Sequence, residues 1–291
     1  MMDVIPVIVS GLASGSAYAL LALGIVIIFR STDTVHFAIG DTGTLVVYVA
    51  AIAIAQGVPV PLALVIAMAL GGTIGGATQR FLIRPLGHRR NIVFIALVVT
   101  IGLGLLMRAL AGAVWGHQST PFPPLIAGSV TIAGVAIAWN KLLATGIALA
   151  AMAVVGWFFG RTALGAAMRA SAEDPFAARL IGLNAQRIAL LAWFLGCALA
   201  TLALFFLAAE SALTPTLANH PLFRAFAGVF LGGLTSMPGA VVGGFAIGVL
   251  DNLAGRYVSA NFRDTIVFGV IVAILFLRPA GFLGALRSER V

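Results

Sequence analysis

The stretch MRASAEDPFAARLIGLNAQR, residues 168 to 187, gathers Arg169, Glu173, Asp174, Arg179 and Arg187 in a chain that is only 9% charged. A charged, structured stretch in so apolar a chain favours a docking site for a partner surface. A second group of polar residues, Arg108, Arg224, Asp251 and Asn252, falls inside apolar segments. An ionisable side chain there costs about 2.5 to 3.5 kcal/mol on insertion scales and normally faces a bundle interior or a water path. Arg108 and Arg224 are expected near an outer interface, where they can snorkel. Asp251, within AIGVLDNLAG, is expected to line a path or to pair with Arg256, although a spacing of five residues is poor for a helical ion pair. Glu210 and Asp264 read as charges at loop ends, and His88, His117 and His220 as turn residues facing water. Reaction chemistry finds few materials. No histidines and carboxylates stand at metal-ligand spacing, no GxSxG elbow is present, and the only lysine, Lys141, follows IAWN rather than a glycine-rich phosphate loop. The chain therefore cannot be its own conventional ATPase.

The elements that must hold these residues are set by hydropathy. The 291 residues have a mean hydropathy of +1.12 and are 61% hydrophobic, with apolar runs of about twenty residues recurring end to end. This predicts an all-α polytopic membrane protein, read as one transmembrane domain over 1–291 whose core is the packed helical bundle itself. Spans are expected at 5–29, 42–56, 59–84, 91–114, 141–160, 187–209, 223–257 and 263–278. The 223–257 run is too long for one straight crossing, so a broken or re-entrant pair is expected, with Ser236, Pro238 and Gly239 as its structural turn. The N-terminus lacks a positive n-region and carries Asp3, so it reads as a retained helix and not as a signal peptide.

A net charge of +8 does not point to nucleic acid, because the basic residues lie at span ends and form no tract. Their distribution sets orientation instead. Arg80, Arg84, Arg89 and Arg90 form one basic connection, Arg161, Arg169, Arg179 and Arg187 a second, and Arg278, Arg287 and Arg290 the tail. These face the cytoplasm, which puts the C-terminus inside, the N-terminus outside and the loop at 116–129 outside. Paired glycines four residues apart, such as Gly11 with Gly15, Gly71 with Gly75, Gly228 with Gly232 and Gly244 with Gly248, allow the close helix approach that association in lipid requires. Cys197 reads as a small core residue.

The charged stretch also has helix-boundary grammar. Asp174 suits an N-cap, Pro175 the first helical position, Gly182 the C-terminal cap, and Asn184 caps the span that follows. So short a helix is marginal alone, and its apolar side, Phe176, Ala177, Leu180 and Ile181, needs a partner surface or lipid headgroups.

RASAEDPFAARLIGLNAQR resembles the cytoplasmic coupling segment of permease subunits of bacterial ABC importers for branched-chain amino acids, the high-affinity leucine/isoleucine/valine permease family. GLASGSAYALLALGIVIIF at 11–29 is similar to that family's first helix, and AGVFLGGLTSMPGAVVGGFAIGVLDNL at 227–253 to its glycine-rich penultimate region. The resemblance is collinear over nearly the whole chain. It implies an importer subunit in the bacterial inner membrane, not an enzyme, with no cofactor of its own and with ATP and Mg on partner subunits. The implied partners are a homologous second permease, two cytoplasmic ATPase subunits and a periplasmic or extracellular solute-binding protein. The implied coupling site is Ala172, Glu173, Asp174, Pro175, Phe176, Arg179 and Gly182.

The expected translocation path takes Tyr18, His36, Phe37, Asp41, Asp251 and Asn252. At RSTDTVHFAIGDTG, 30–43, relatives usually carry asparagine, phenylalanine, alanine, an amide or histidine, glycine and an acid. Here His36 takes the asparagine position, Ile39 that of the amide or histidine, and Asp41 that of the acid. The cargo expected is a branched-chain amino acid or a related small solute such as an amide, urea or an aromatic acid. The competing expectation is a self-contained secondary transporter or channel, whose mark would be similar broken helices in the two halves.

Overall fold

The computed structural model describes residues 4–86, 92–126, 128–132, 135–278 and 281–284. The side chains of residues 5, 92, 131–137, 175 and 176 are not among those described. The helices are α1 (Val4–Thr32), α2 (Ile39–Ala55), α3 (Val60–Ala77), α4 (Ile92–Trp115), α5 (Trp139–Arg161), α6 (Ala163–Glu173), α7 (Pro175–Leu180), α8 (Ala185–Ser211), α9 (Asn219–Gly232), α10 (Met237–Tyr257) and α11 (Arg263–Leu277). A small antiparallel hairpin, β1 (Ser129–Ile132) and β2 (Val135–Ala138), precedes α5 with Ser129 opposite Ala138. Among the described residues seven helices are long and apolar enough to cross a membrane, with α2 a shorter apolar helix beside them. The all-α polytopic fold expected from hydropathy is thus what the chain adopts.

Helices α1 and α8 are the buried axis, whereas α4 and α11 present most of their surface outward. Glycines explain how the axis closes. A Cβ on Gly11 or Gly15 would meet the backbone of α10 at Val249 and Phe245, and Gly244 and Gly248 press on α1 at Ala19 and Gly15. Gly228 and Gly232 meet Gly243 and Gly239 between α9 and α10 in the same way. On α3, Gly71, Gly72, Gly75 and Gly76 seat Thr201, Phe194, Cys197 and Leu190 of α8. With no hydrophobic drive in lipid, such close backbone approach is what holds the bundle.

The expected break in 223–257 is present but sits earlier than Pro238 and Gly239. The chain turns at Gly233, whose φ is 105°, and at Leu234 and Thr235. Ser236 then caps α10 by accepting from Gly239 N at 3.0 Å, and Pro238 lies in the first helical turn. Proline is tolerated there because its missing N–H has no intrahelical partner to lose.

Two connections return into the protein. After α1 the left-handed residue Asp33 reverses the chain, and Thr34, His36 and Ala38 are buried on the way to α2. After α8 the left-handed Ala212 does the same, and Leu213, Leu217 and Ala218 are buried before α9. The starts of α2 and α9 meet, with Gly40 packed on Ala218 and Leu222. At 1.5 Å per residue α2 and α9 are about 25 and 21 Å long, shorter than a hydrocarbon core of about 30 Å. Helix α2 starts within the bundle, with Ile39 to Thr44 buried, whereas His220 in the first turn of α9 is exposed.

Candidate functional site

Three sets of side chains carry the polar chemistry. The first is the elbow between α5 and α8. Thr162 caps α6, accepting from Gly165 N at 3.0 Å. Asp174 Oδ1 accepts from Ala177 N at 2.9 Å at the start of α7, Gly182 has a φ of 84°, and Asn184 Oδ1 accepts from Gln186 N and Arg187 N at 3.1 Å. Asp174, Gly182 and Asn184 are the caps expected from the sequence, and Thr162 is an additional one. Ala178 of α7 is buried, while Leu180 and Ile181 are 73% and 74% exposed. Ala172 and Glu173 line a cavity of about 400 Å³ together with Phe29, Arg30 and Asp33 at the end of α1 and Thr235 to Pro238 at the start of α10. The elbow therefore abuts the ends of two core helices. Glu173, Asp174 and Arg179 are exposed, and the side chains of Pro175 and Phe176 lie outside the described residues.

The second set surrounds the return after α1. Thr32 Oγ1 donates to Ile28 O at 3.0 Å, pairs with Thr34 Oγ1 at 2.8 Å, and accepts from Trp193 Nε1 at 3.3 Å. These bonds occupy polar groups where the helix stops. His36 packs its ring 4.5 Å from that of Trp193 and is fully buried, with neither ring nitrogen hydrogen-bonded among the described residues. Phe37 lies 5.1 Å from Phe226 of α9. Asp41 is buried and receives Arg108 Nη2 at 3.0 Å and Nε at 3.2 Å. Arg108 therefore reaches inward to a carboxylate and does not snorkel. Trading water for a bidentate partner is the better bargain inside the bundle.

The third set is built on α9. Arg224 is buried, with Nε 2.8 Å from Asp251 Oδ1 and Nη2 donating to Asp264 Oδ1 at 3.0 Å. Its guanidinium carbon lies 5.9 Å from the ring of Tyr18, and His220 Nδ1 stands 2.9 Å from Asp264 Oδ2. Arg263 approaches Asp251 at 4.0 Å. Arg224 is thus no snorkelling residue, and the partner of Asp251 is Arg224 from another helix, not Arg256. Arg224, His220, Asp264 and Phe223 line a 680 Å³ cavity between α9 and α11, and the buried Asp251 is not among its lining residues. Asn252 donates to Gly248 O in its own helix at 3.1 Å. Of the six residues expected on a path, the structure places Tyr18 and Asp251 around Arg224, and His36, Phe37 and Asp41 around the return before α2. Helix α9 touches both groups, through Arg224 and Phe226.

The family model for the branched-chain amino acid transport system permease component matches residues 7–275. The chain belongs to that permease family. Its relatives include the high-affinity branched-chain amino acid transport system permease protein BraD of Pseudomonas aeruginosa, 30% identical, with 98% of this chain and 97% of BraD covered. LivH of Salmonella typhimurium, which carries the same description, is 28% identical over 97% of this chain and 96% of that one. The solved structure of PsaBC from Streptococcus pneumoniae in complex with Fab has a TM-score of 0.50 at 13% identity, covering 93% of this chain and 91% of that chain, a likeness of fold alone. The permease is thus a multi-pass membrane protein and a transport component. Arg224, which pairs with both Asp251 and Asp264, was legible in the sequence only as an intramembrane arginine. The signal that could have placed it was Asp251, a buried acid in need of a cation.

Proposed function

We propose that this permease is the membrane-spanning subunit of an ATP-driven importer in a bacterial inner membrane, forming the path for branched-chain amino acids or a related small solute. Hydrolysis of ATP with Mg takes place on two separate cytoplasmic subunits, and a solute-binding protein delivers the cargo to a pair of homologous permeases. The observation that carries this reading is the elbow. A short, capped helix offers exposed Leu180 and Ile181 beside exposed Glu173, Asp174 and Arg179, and the same elbow lines a cavity with the ends of α1 and α10. A push on α7 from an ATPase is transmitted through Ala172 and Glu173 to the helices that bracket the interior.

Replacing Glu173 and Asp174 together by alanine tests the reading. In the complete assembly, solute-stimulated ATP hydrolysis falls several-fold while the amount of chain inserted in the membrane is unchanged. Unchanged coupling would remove α7 from the docking role.

One observation favours a second reading, a self-contained secondary transporter or channel. The two returns, at Asp33 and Ala212, give an interrupted helix in each half of the chain, the arrangement on which gradient-driven carriers build their sites. The driving force, ATP or an ion gradient, separates the two.

A further inference from the structure

A groove of about 640 Å³ runs between α1, α5 and α10 in the half of the bundle nearest the elbow. Its floor is apolar, with Leu23, Met152, Val155 and Phe159 among the lining residues, and its elbow end carries Arg30 and Arg169. The α5 wall is open because a Cβ on Gly156 or Gly160 would meet nothing within 4 Å, unlike the glycines that pack helix on helix. Arg169 Nη1 is shielded from solvent yet has no hydrogen-bond partner among the described residues. A buried donor left unmade is costly, more so on a charged group. The groove thus joins an apolar trough at membrane depth to the Arg169 donor at the basic end of the protein.

We infer that this groove binds an anionic phospholipid of the cytoplasmic leaflet, its acyl chain along Gly156 and Gly160 and its phosphate on Arg169. Charge complementarity selects the occupant. Basic pockets between spanning helices on the cytoplasmic side recognise acidic headgroups, and each basic residue near the surface strengthens the attraction about fivefold. A neutral lipid or an apolar helix would leave the guanidinium donor unmet. The groove also touches Met237 and Pro238, which line the elbow cavity as well, so the lipid would sit against the start of α10.

The test is native mass spectrometry of the purified full-length chain, titrated with phosphatidylglycerol and with phosphatidylcholine of the same acyl chains. The wild type is expected to retain phosphatidylglycerol at least about fivefold more tightly. Arg169→Gln abolishes most of that preference, and Arg169→Lys keeps most of it. Gly160→Leu, which fills open space without changing charge, lowers retention of both lipids. Equal retention of the two lipids by the wild type would overturn the inference, as would an undiminished preference in Arg169→Gln. Disulfide-linked dimers of a Gly156→Cys chain would place a second copy's helix in the groove and would also overturn it, since the native Cys197 is buried and does not compete.

Discussion

Arg224 bridges Asp251 and Asp264 from a position inside the bundle, and its worth lies in what its removal would leave behind. Arg224→Met strips the buried Asp251 of its nearest cation, an uncompensated charge that costs about 3 to 5 kcal/mol. Thermal unfolding in detergent should show that loss, and adding Asp251→Leu should restore most of it, because well-packed apolar replacements of buried pairs are often neutral. If the double variant is no more stable than the single one, the pair is not the coupled unit described above. His36 behaves differently. Its ring packs on Trp193 and its nitrogens make no hydrogen bond among the described residues, so His36→Phe should change stability by less than about 1.5 kcal/mol. A larger loss would mean that a ring nitrogen has a partner. Arg224 was visible in the sequence as a charge inside an apolar segment and His36 as a departure from the family pattern at 30–43, but their neighbours were not. Arg108 meets Asp41 across 67 residues of chain and Arg224 meets Asp264 across 40, and nothing local in the sequence encodes such pairings.

The elements were most legible where local chemistry fixes them. Asp174, Gly182 and Asn184 mark helix ends by their own side chains or backbone freedom, so α7 and the start of α8 could be read directly. The returns were not so legible. The sequence from 211 to 218, SALTPTLA, reads as a loop, and only packing shows that Leu213, Leu217 and Ala218 are drawn inside. Ala212, at φ 79° and ψ 156°, holds a backbone conformation close to one that only glycine adopts freely. Ala212→Gly should therefore stabilise the protein by about 1 kcal/mol, read as a raised unfolding midpoint in detergent. A lowered midpoint would show that the return is held without strain. The glycine pairs give an opposite expectation. A side chain on Gly248 would overlap the backbone of Gly15, so Gly248→Leu should wedge α1 from α10 and reduce the yield of monodisperse protein. The i and i+4 glycine pattern announced packing, yet 34 glycines made too many pairs for the sequence to say which helices met.

Across the whole molecule basic residues gather at one end of the helices without being confined to it, since Arg256 closes α10 and Arg263 opens α11 at the other. Arg30, Arg80, Arg84, Arg161 and Arg278 lie in or just beyond the last turns of α1, α3, α5 and α11, while Arg89, Arg90, Arg287 and Arg290 fall outside the described residues. At the opposite end Lys141 Nζ donates to Ser10 Oγ at 3.0 Å, and Thr120 pairs with Leu213 across the loop that precedes the hairpin. The elbow, the basic helix ends and the α9–α10 turn thus share one end, where a cytoplasmic partner would act on all of them. That arrangement makes the source of energy the decisive question. The most direct measurement purifies the tagged permease in mild detergent with whatever accompanies it, reconstitutes the material in liposomes, and follows uptake of radiolabelled leucine with the solute-binding protein supplied. The account predicts co-purification of an ATPase and a second permease, and uptake that requires internal or external ATP at the face bearing the elbow. Uptake by the chain alone, driven by an imposed ion gradient and indifferent to ATP, would contradict it.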